Sequence, residues 1–219
     1  MSPHRLTSWP LVLLAFSLGH TGAPAQAASW LDEPKPKSWN APDLAIPAAT
    51  NIPGNADPRC RQTARPPELS EDKALRDRGW DLVGGYQGGW RVLVIQGTSG
   101  YDGMCRPLQY QGFVFVHGRF AGTLSPRPMD SRSDGALERV FIQSASRLTA
   151  QYARYEASDP LCCPSRTTYI DFEIANDPPI VRPLSAVTSR VVATPTSPRA
   201  SGVNRNSSPP AQPVTVIGD

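Results

Sequence analysis

Tyr110-Gln111-Gly112-Phe113-Val114-Phe115-Val116-His117-Gly118-Arg119-Phe120-Ala121-Gly122-Thr123-Leu124 reads as two strands folded back on one turn. Residues 110–116 and 119–124 are rich in aromatic and β-branched side chains, and only His117 and Gly118 separate them. A two-residue spacer ending in glycine is what a tight antiparallel hairpin requires. Upstream, residues 81–86 and 90–96 flank Gln87-Gly88-Gly89, which reads as another hairpin turn. Downstream, Thr168, Ile170, Phe172 and Ile174 alternate with Tyr169, Asp171 and Glu173, so residues 167–174 form a strand with one wet face. The expected class is therefore mainly β (α+β), an antiparallel sheet of hairpins with one short N-terminal helix. For that helix Ser70 is the cap, Glu71 and Asp72 suit the positive end, Arg76 and Arg78 the negative end, and Gly79 the stop.

Residues 136–156 fit two readings. Leu137, Val140, Phe141, Ala145, Leu148, Tyr152 and Tyr155 recur at helical spacing. Leu148, Ala150 and Tyr152 also alternate with Thr149, Gln151 and Ala153, and Ser144-Ala145-Ser146 suits a turn between two strands. Periodicity alone slightly favours the helix.

The rest of the chain is organised by proline. Of 24 prolines in 219 residues, eleven lie in 1–67 and eight in 178–219. The apolar fraction of 39% falls below the roughly 45–50% of globular chains, so part of the sequence is expected to stay outside the folded unit. The division that follows is a signal peptide at 1–27, a Pro-rich extended arm at 28–68 and a β domain at 69–177. A disordered Pro/Ser/Thr-rich tail at 178–219 completes it. On this reading, trimming the chain after Pro183 leaves its melting temperature unchanged. The β domain carries twelve Lys/Arg against thirteen Asp/Glu, and the overall charge of +3 comes from the dilute tail and Arg5. Nucleic-acid binding needs a concentrated basic footprint, and that class of function is set aside.

His4 and Arg5, the apolar run Leu11-Val12-Leu13-Leu14-Ala15-Phe16-Ser17-Leu18 and the small-x-small site Ala25-Gln26-Ala27 have the form of a secretory signal. Cleavage after Ala27 places the protein in the periplasm or outside the cell. The apolar run is about half of what a membrane span needs, so no span is expected after cleavage, and with Cys60 the first cysteine no thiol follows the run to take a lipid anchor. Cys60, Cys105, Cys162 and Cys163 then sit in an oxidising compartment and are expected as two disulfides. In an extended segment Cys162 and Cys163 point to opposite faces, and a bond between them closes a strained ring. Each is therefore expected to pair outward, one with Cys60 and the other with Cys105. No zinc spacing is present and no metal is expected.

Phe113-Val114-Phe115-Val116-His117-Gly118, then Phe120-Ala121-Gly122-Thr123, then Asp159-Pro160-Leu161-Cys162-Cys163-Pro164-Ser165 resemble the LppP/LprE family of bacterial cell-envelope lipoproteins. The Cys-Cys-Pro element at this distance after the hairpin is the specific part. The resemblance implies an exported envelope protein of mainly β structure and tips residues 136–156 toward two strands. It carries over no catalytic residue. The first cysteine is Cys60, so the lipobox cysteine of that family is missing and membrane attachment does not carry over.

Few residues suggest chemistry. His117 occupies a tight turn, and no G-x-S-x-G elbow offers it a serine. The glycines at 84–89 lack the Lys-Ser/Thr of a phosphate loop, and Arg132 occupies an acidic position of a calcium loop. No cofactor is expected. What remains is a recognition surface: Tyr101, Asp102 and Arg106 on the loop 99–106, with Asp130, Arg132 and Asp134 on the next polar turn. Tyr101 is expected to project outward between Gly100 and Gly103. The expectation is a non-enzymatic envelope or periplasmic protein that binds another protein or a wall polymer. Its rival is a hydrolase using carboxylates such as Asp102, Asp130 or Asp134.

Overall fold

The computed structural model describes residues 29–50 and 58–191. Two short helices, α1 (Pro58–Arg61) and α2 (Ser70–Asp77), precede ten strands. These are β1 (Asp81–Gly89), β2 (Val92–Thr98), β3 (Gly100–Tyr101), β4 (Pro107–Leu108) and β5 (Gln111–Val116), then β6 (Arg119–Thr123), β7 (Ala136–Ser144), β8 (Arg147–Arg154), β9 (Arg166–Asn176) and β10 (Pro179–Arg190). Every pairing is antiparallel. One sheet has the order β1-β2-β5-β6, the other β10-β9-β8-β7, and β3 pairs with β4 alone.

The apolar run 113–116 explains the layering. Val114 and Val116 face the second sheet, meeting Leu148, Tyr152, Ile170 and Phe172 in the main core. Phe113 and Phe115 face the other way, into a second core with Leu75 of α2, Trp80 and the arm residues Ile46 and Ala49. Strand β5 is buried on both faces, so it reads as a continuous hydrophobic run. In β9, Thr168, Ile170, Phe172 and Ile174 are buried while Tyr169 and Glu173 face solvent, as the alternation requires.

The turns repay attention to φ. His117 (φ 50) and Gly118 (φ 77) join β5 to β6 with both central residues left-handed, the hairpin read from the sequence. Between β1 and β2 the expected turn at Gln87-Gly88-Gly89 is corrected: those residues continue the strand, and Trp90 (φ 54) and Arg91 (φ 60) make the turn. Residues 136–156 are two strands. Ser144 pairs with Arg147 across a two-residue turn.

Two expectations about the chain ends of the domain are overturned. The tail does not begin at 178, because Pro179–Arg190 pairs with β9 along its length and forms the outer strand of the second sheet. Val181 is fully buried there. The remainder of the tail, 192–219, and the signal segment lie outside the described residues. The helix α2 is capped differently from expectation. Ser70 is its first residue, and the Asp72 carboxylate accepts from the backbone N–H groups of Glu68 and Leu69 and from Arg65 at 2.5 and 2.6 Å.

Side chains stitch the edges of the two sheets. The arm runs over the domain, and Asn40 enters between β6 and β10. Its Nδ2 donates to the carbonyls of Thr123 and Val181, both at 2.9 Å, and its Oδ1 accepts from Thr123 N–H at 3.0 Å. At the far edge Val140 N–H of β7 donates to Gln87 Oε1 of β1 at 2.6 Å. Trp30, Leu31 and Trp39 of the arm pack against the main core, with Trp30 edge-on to Tyr152 and Trp39 edge-on to Phe172.

Candidate functional site

The loop expected to display Tyr101 instead folds it inward. Tyr101 is 4% exposed and packs with Cys60, Val83 and Cys105. The short ladder of β3 on β4 places Tyr101 opposite Pro107, and Cys60 bonds to Cys105 with their Cα atoms 4.9 Å apart. Burial, with the charge of Asp81 adding to it, pushes the Tyr101 hydroxyl up to about 12. Asp102 is a clasp within the same loop. It accepts from Met104 N–H and Arg106 N–H, each at 2.9 Å, and pairs with the Arg106 guanidinium at 2.6 Å. Burial opposes its ionisation, but these bonds from Arg106 and Met104 outweigh it and hold the carboxyl below its ordinary range.

The expected cysteine pairing is overturned at the same place. Cys60 joins Cys105, and Cys162 joins Cys163. Cys60 is buried beneath the loop, whereas Leu161, Cys162 and Cys163 are all exposed on the connection between β8 and β9. That connection is a turn, with Cys163 N–H bonded to the Pro160 carbonyl, so the argument from an extended segment does not apply. Asp159 organises it. Hydrogen bonds from Glu156 N–H and from Ser165 hold the Asp159 carboxyl below its ordinary range.

The second group of expected residues is partly brought together. Asp130 accepts from the backbone and side chain of Gln109 and so ties its turn to the residue that follows β4. Arg132 lies over the Tyr155 ring at 4.3 Å and donates to the carbonyls of Asp159 and Pro160. Asp134 accepts from Asp130 N–H and pairs with Arg127 at 3.2 Å. Arg132 and Asp134, but not Asp130, line a cleft of about 720 Å³ at one end of the sandwich.

Most of that cleft was not foreseen. Arg127, Arg154 and Arg166 join Arg132 in its wall, against Asp32, Asp134 and Glu156. The arginines come from the turn after β6 and from the ends of β8 and β9. Arg154 stands directly opposite Arg166, and Arg166 directly opposite Arg190 of β10, all on the inward face of the sheet. Like charges in register repel, so a row of three needs counter-charge. Asp32 supplies it to Arg154, both carboxylate oxygens lying 3.1 Å from its guanidinium. Glu156 lies 3.3 Å from Arg166 Nε without the alignment of a hydrogen bond. The row could be found in the sequence only by knowing the register of three strands.

Among the described residues no helix is long and apolar enough to cross a membrane. No curated protein and no solved structure is matched by the chain. A family model does match: residues 85–177, from within β1 to just past β9, match that of the LppP/LprE lipoproteins. This chain therefore carries an LppP/LprE lipoprotein family domain at residues 85–177.

Proposed function

We propose that this is an exported, non-enzymatic protein of the cell envelope, and that it binds an anionic wall polymer through the arginine cleft. The lipoprotein family supports the location, as do two disulfides and a leader of secretory form. One observation carries the binding reading: Arg154 and Arg166 of the cleft stand side by side across two strands, the exposed Arg190, outside the cleft's lining, continues the row on a third, and acids meet only part of their charge. Planar guanidinium groups suit the phosphate and carboxylate groups that such polymers carry. The rival hydrolase has less support. Asp102 and Asp134 are taken up in hydrogen bonds within their own turns, and Asp130 in bonds from Gln109 of a neighbouring loop.

Polyphosphate and polyglutamate are suitable probes for calorimetric titration. Binding should weaken with salt, and the Arg166→Ala, Arg190→Ala double variant should lose about tenfold or more in affinity while keeping its fold. Absence of binding by both probes, or binding that the double variant retains in full, would overturn the reading.

A further inference from the structure

The two disulfides differ in what they hold together. Cys60–Cys105 spans 45 positions, and Cys60 is 1% exposed beneath the loop it fastens. By the chain-entropy argument such a bridge confines the unfolded chain and stabilises the fold. Cys162–Cys163 links immediate neighbours, so it closes off no length of chain and removes almost none of that freedom. It also lies in the open: Pro160, Leu161, Cys162 and Cys163 are all exposed between β8 and β9. The turn around it is secured by other bonds. Asp159 accepts from Glu156 N–H and from Ser165 at 2.7 to 2.9 Å, and Arg132 donates to the carbonyls of Asp159 and Pro160. None of these involves sulfur. The disulfide can therefore open and re-form while the fold and the turn stay in place.

We propose that Cys162–Cys163 is a reversible thiol–disulfide exchange site whose partner is a protein dithiol. A thiolate of the partner attacks one exposed Sγ and forms a mixed disulfide, and the other cysteine leaves as a thiolate that takes a proton from solvent. The partner's second thiolate then attacks its own chain's sulfur in the mixed disulfide. That releases the remaining cysteine, which is protonated in turn. Two electrons and two protons pass to this chain, and the partner ends as a disulfide. The reverse sequence restores the bond. Exchange needs an attacking sulfur to reach the bridge, which exposure allows here and burial hinders at Cys60. Leu161, 55% exposed beside the two cysteines, offers a protein donor apolar contact that a small thiol does not use. Arg132 serves both this turn and the arginine cleft, but the exchange does not depend on what the cleft binds.

The test uses the intact mature protein, whose non-reducing peptide map should first join Cys162 to Cys163. Reduced thioredoxin is the protein dithiol probe, and reduced dithiothreitol is the small one. Alkylation and mass spectrometry after timed exposure should label Cys162 and Cys163 at least about tenfold faster than Cys60 and Cys105 with either probe. The selectively reduced protein should keep its circular dichroism and melting temperature, and glutathione disulfide should restore the bond. A thioredoxin whose second active cysteine is replaced by serine should stay attached to Cys162 or Cys163. Leu161→Ser should slow thioredoxin by about threefold or more and leave dithiothreitol unchanged. A map that pairs either cysteine elsewhere, equal labelling of all four, unfolding on selective reduction, or exchange with dithiothreitol but not thioredoxin would overturn the site. Thioredoxin trapping that persists in the Cys162→Ser, Cys163→Ser double variant would reject it as well.

Discussion

Asn40 and Gly122 form a matched pair of residues. Gly122 has φ +129, and a Cβ placed on it would lie 2.3 Å from the Asn40 Cγ, so the amide reaches the backbone of β6 only because position 122 has no side chain. Asn40→Ala removes the side-chain partners of the Thr123 N–H and the Val181 carbonyl, while the Thr123 carbonyl keeps its bond from Trp39 Nε1. At about 1–3 kcal/mol for each unsatisfied group, less relaxation, the loss should be about 3 kcal/mol. Gly122→Ala should cost a similar amount, through strain and displacement of the amide. Urea unfolding of the double variant should give clearly less than the sum, because both changes break the same contact; additive losses would contradict this account. Tyr101 yields a prediction at alkaline pH. Its folded pKa of about 12 exceeds the unfolded value of about 10, so its contribution to stability is complete below the unfolded value. It is lost as pH rises from about 10 through 12. Tyr101→Phe should flatten that part of the stability curve, measured as urea midpoints against pH, relative to the unmodified protein. Tyr110 and Tyr152, also raised by burial, keep part of the alkaline decline in both proteins.

Among elements, β10 separates what the sequence shows from what it hides. A chain ending at Pro183 loses the pairing of Ser185 through Arg190 with β9. Its melting temperature should fall by about 5 °C or more, where the proline count suggested no change. A truncated chain that melts with the full-length protein would show that this half of β10 adds nothing. The strand was hidden because Pro183 and a bulge after it break the alternation. Bulges also explain the helical look of residues 136–156. One between Leu137 and Arg139 sets the inward residues Leu137 and Val140 three apart, which imitates a helix turn. Where no bulge intervenes, as in β9, the period of two was legible and the strand could be read directly. The turn at Trp90-Arg91 was missed because left-handed backbone normally advertises itself through glycine, and here the glycines sit in the strand. The cleft was least legible of all. Arg127, Arg132, Arg154 and Arg166 are spread over 40 positions, and only Arg132 stood in a recognisable polar turn.

On the scale of the whole molecule, the stretch that matches the family and the body that packs together have different limits. Residues 85–177 exclude Leu31, Trp39, Asn40, Trp80 and all of β10, yet these fill both cores and close one edge of the sandwich. The arm is thus an interior component carried on an extended backbone, and the cleft takes Asp32 from it. Asn40 and Val181 are 141 positions apart in the chain. Because a polypeptide is made from its amino end, Asn40 emerges first and waits for its last acceptor until nearly the whole domain has been synthesised. Until Val181 arrives, the outer edge of β6 has no neighbouring strand, and an exposed edge of that kind can pair with another chain. The final closure of this fold accordingly waits for Val181 to emerge, and the interval before it is when the protein is most open to capture by a chaperone or by a second nascent copy.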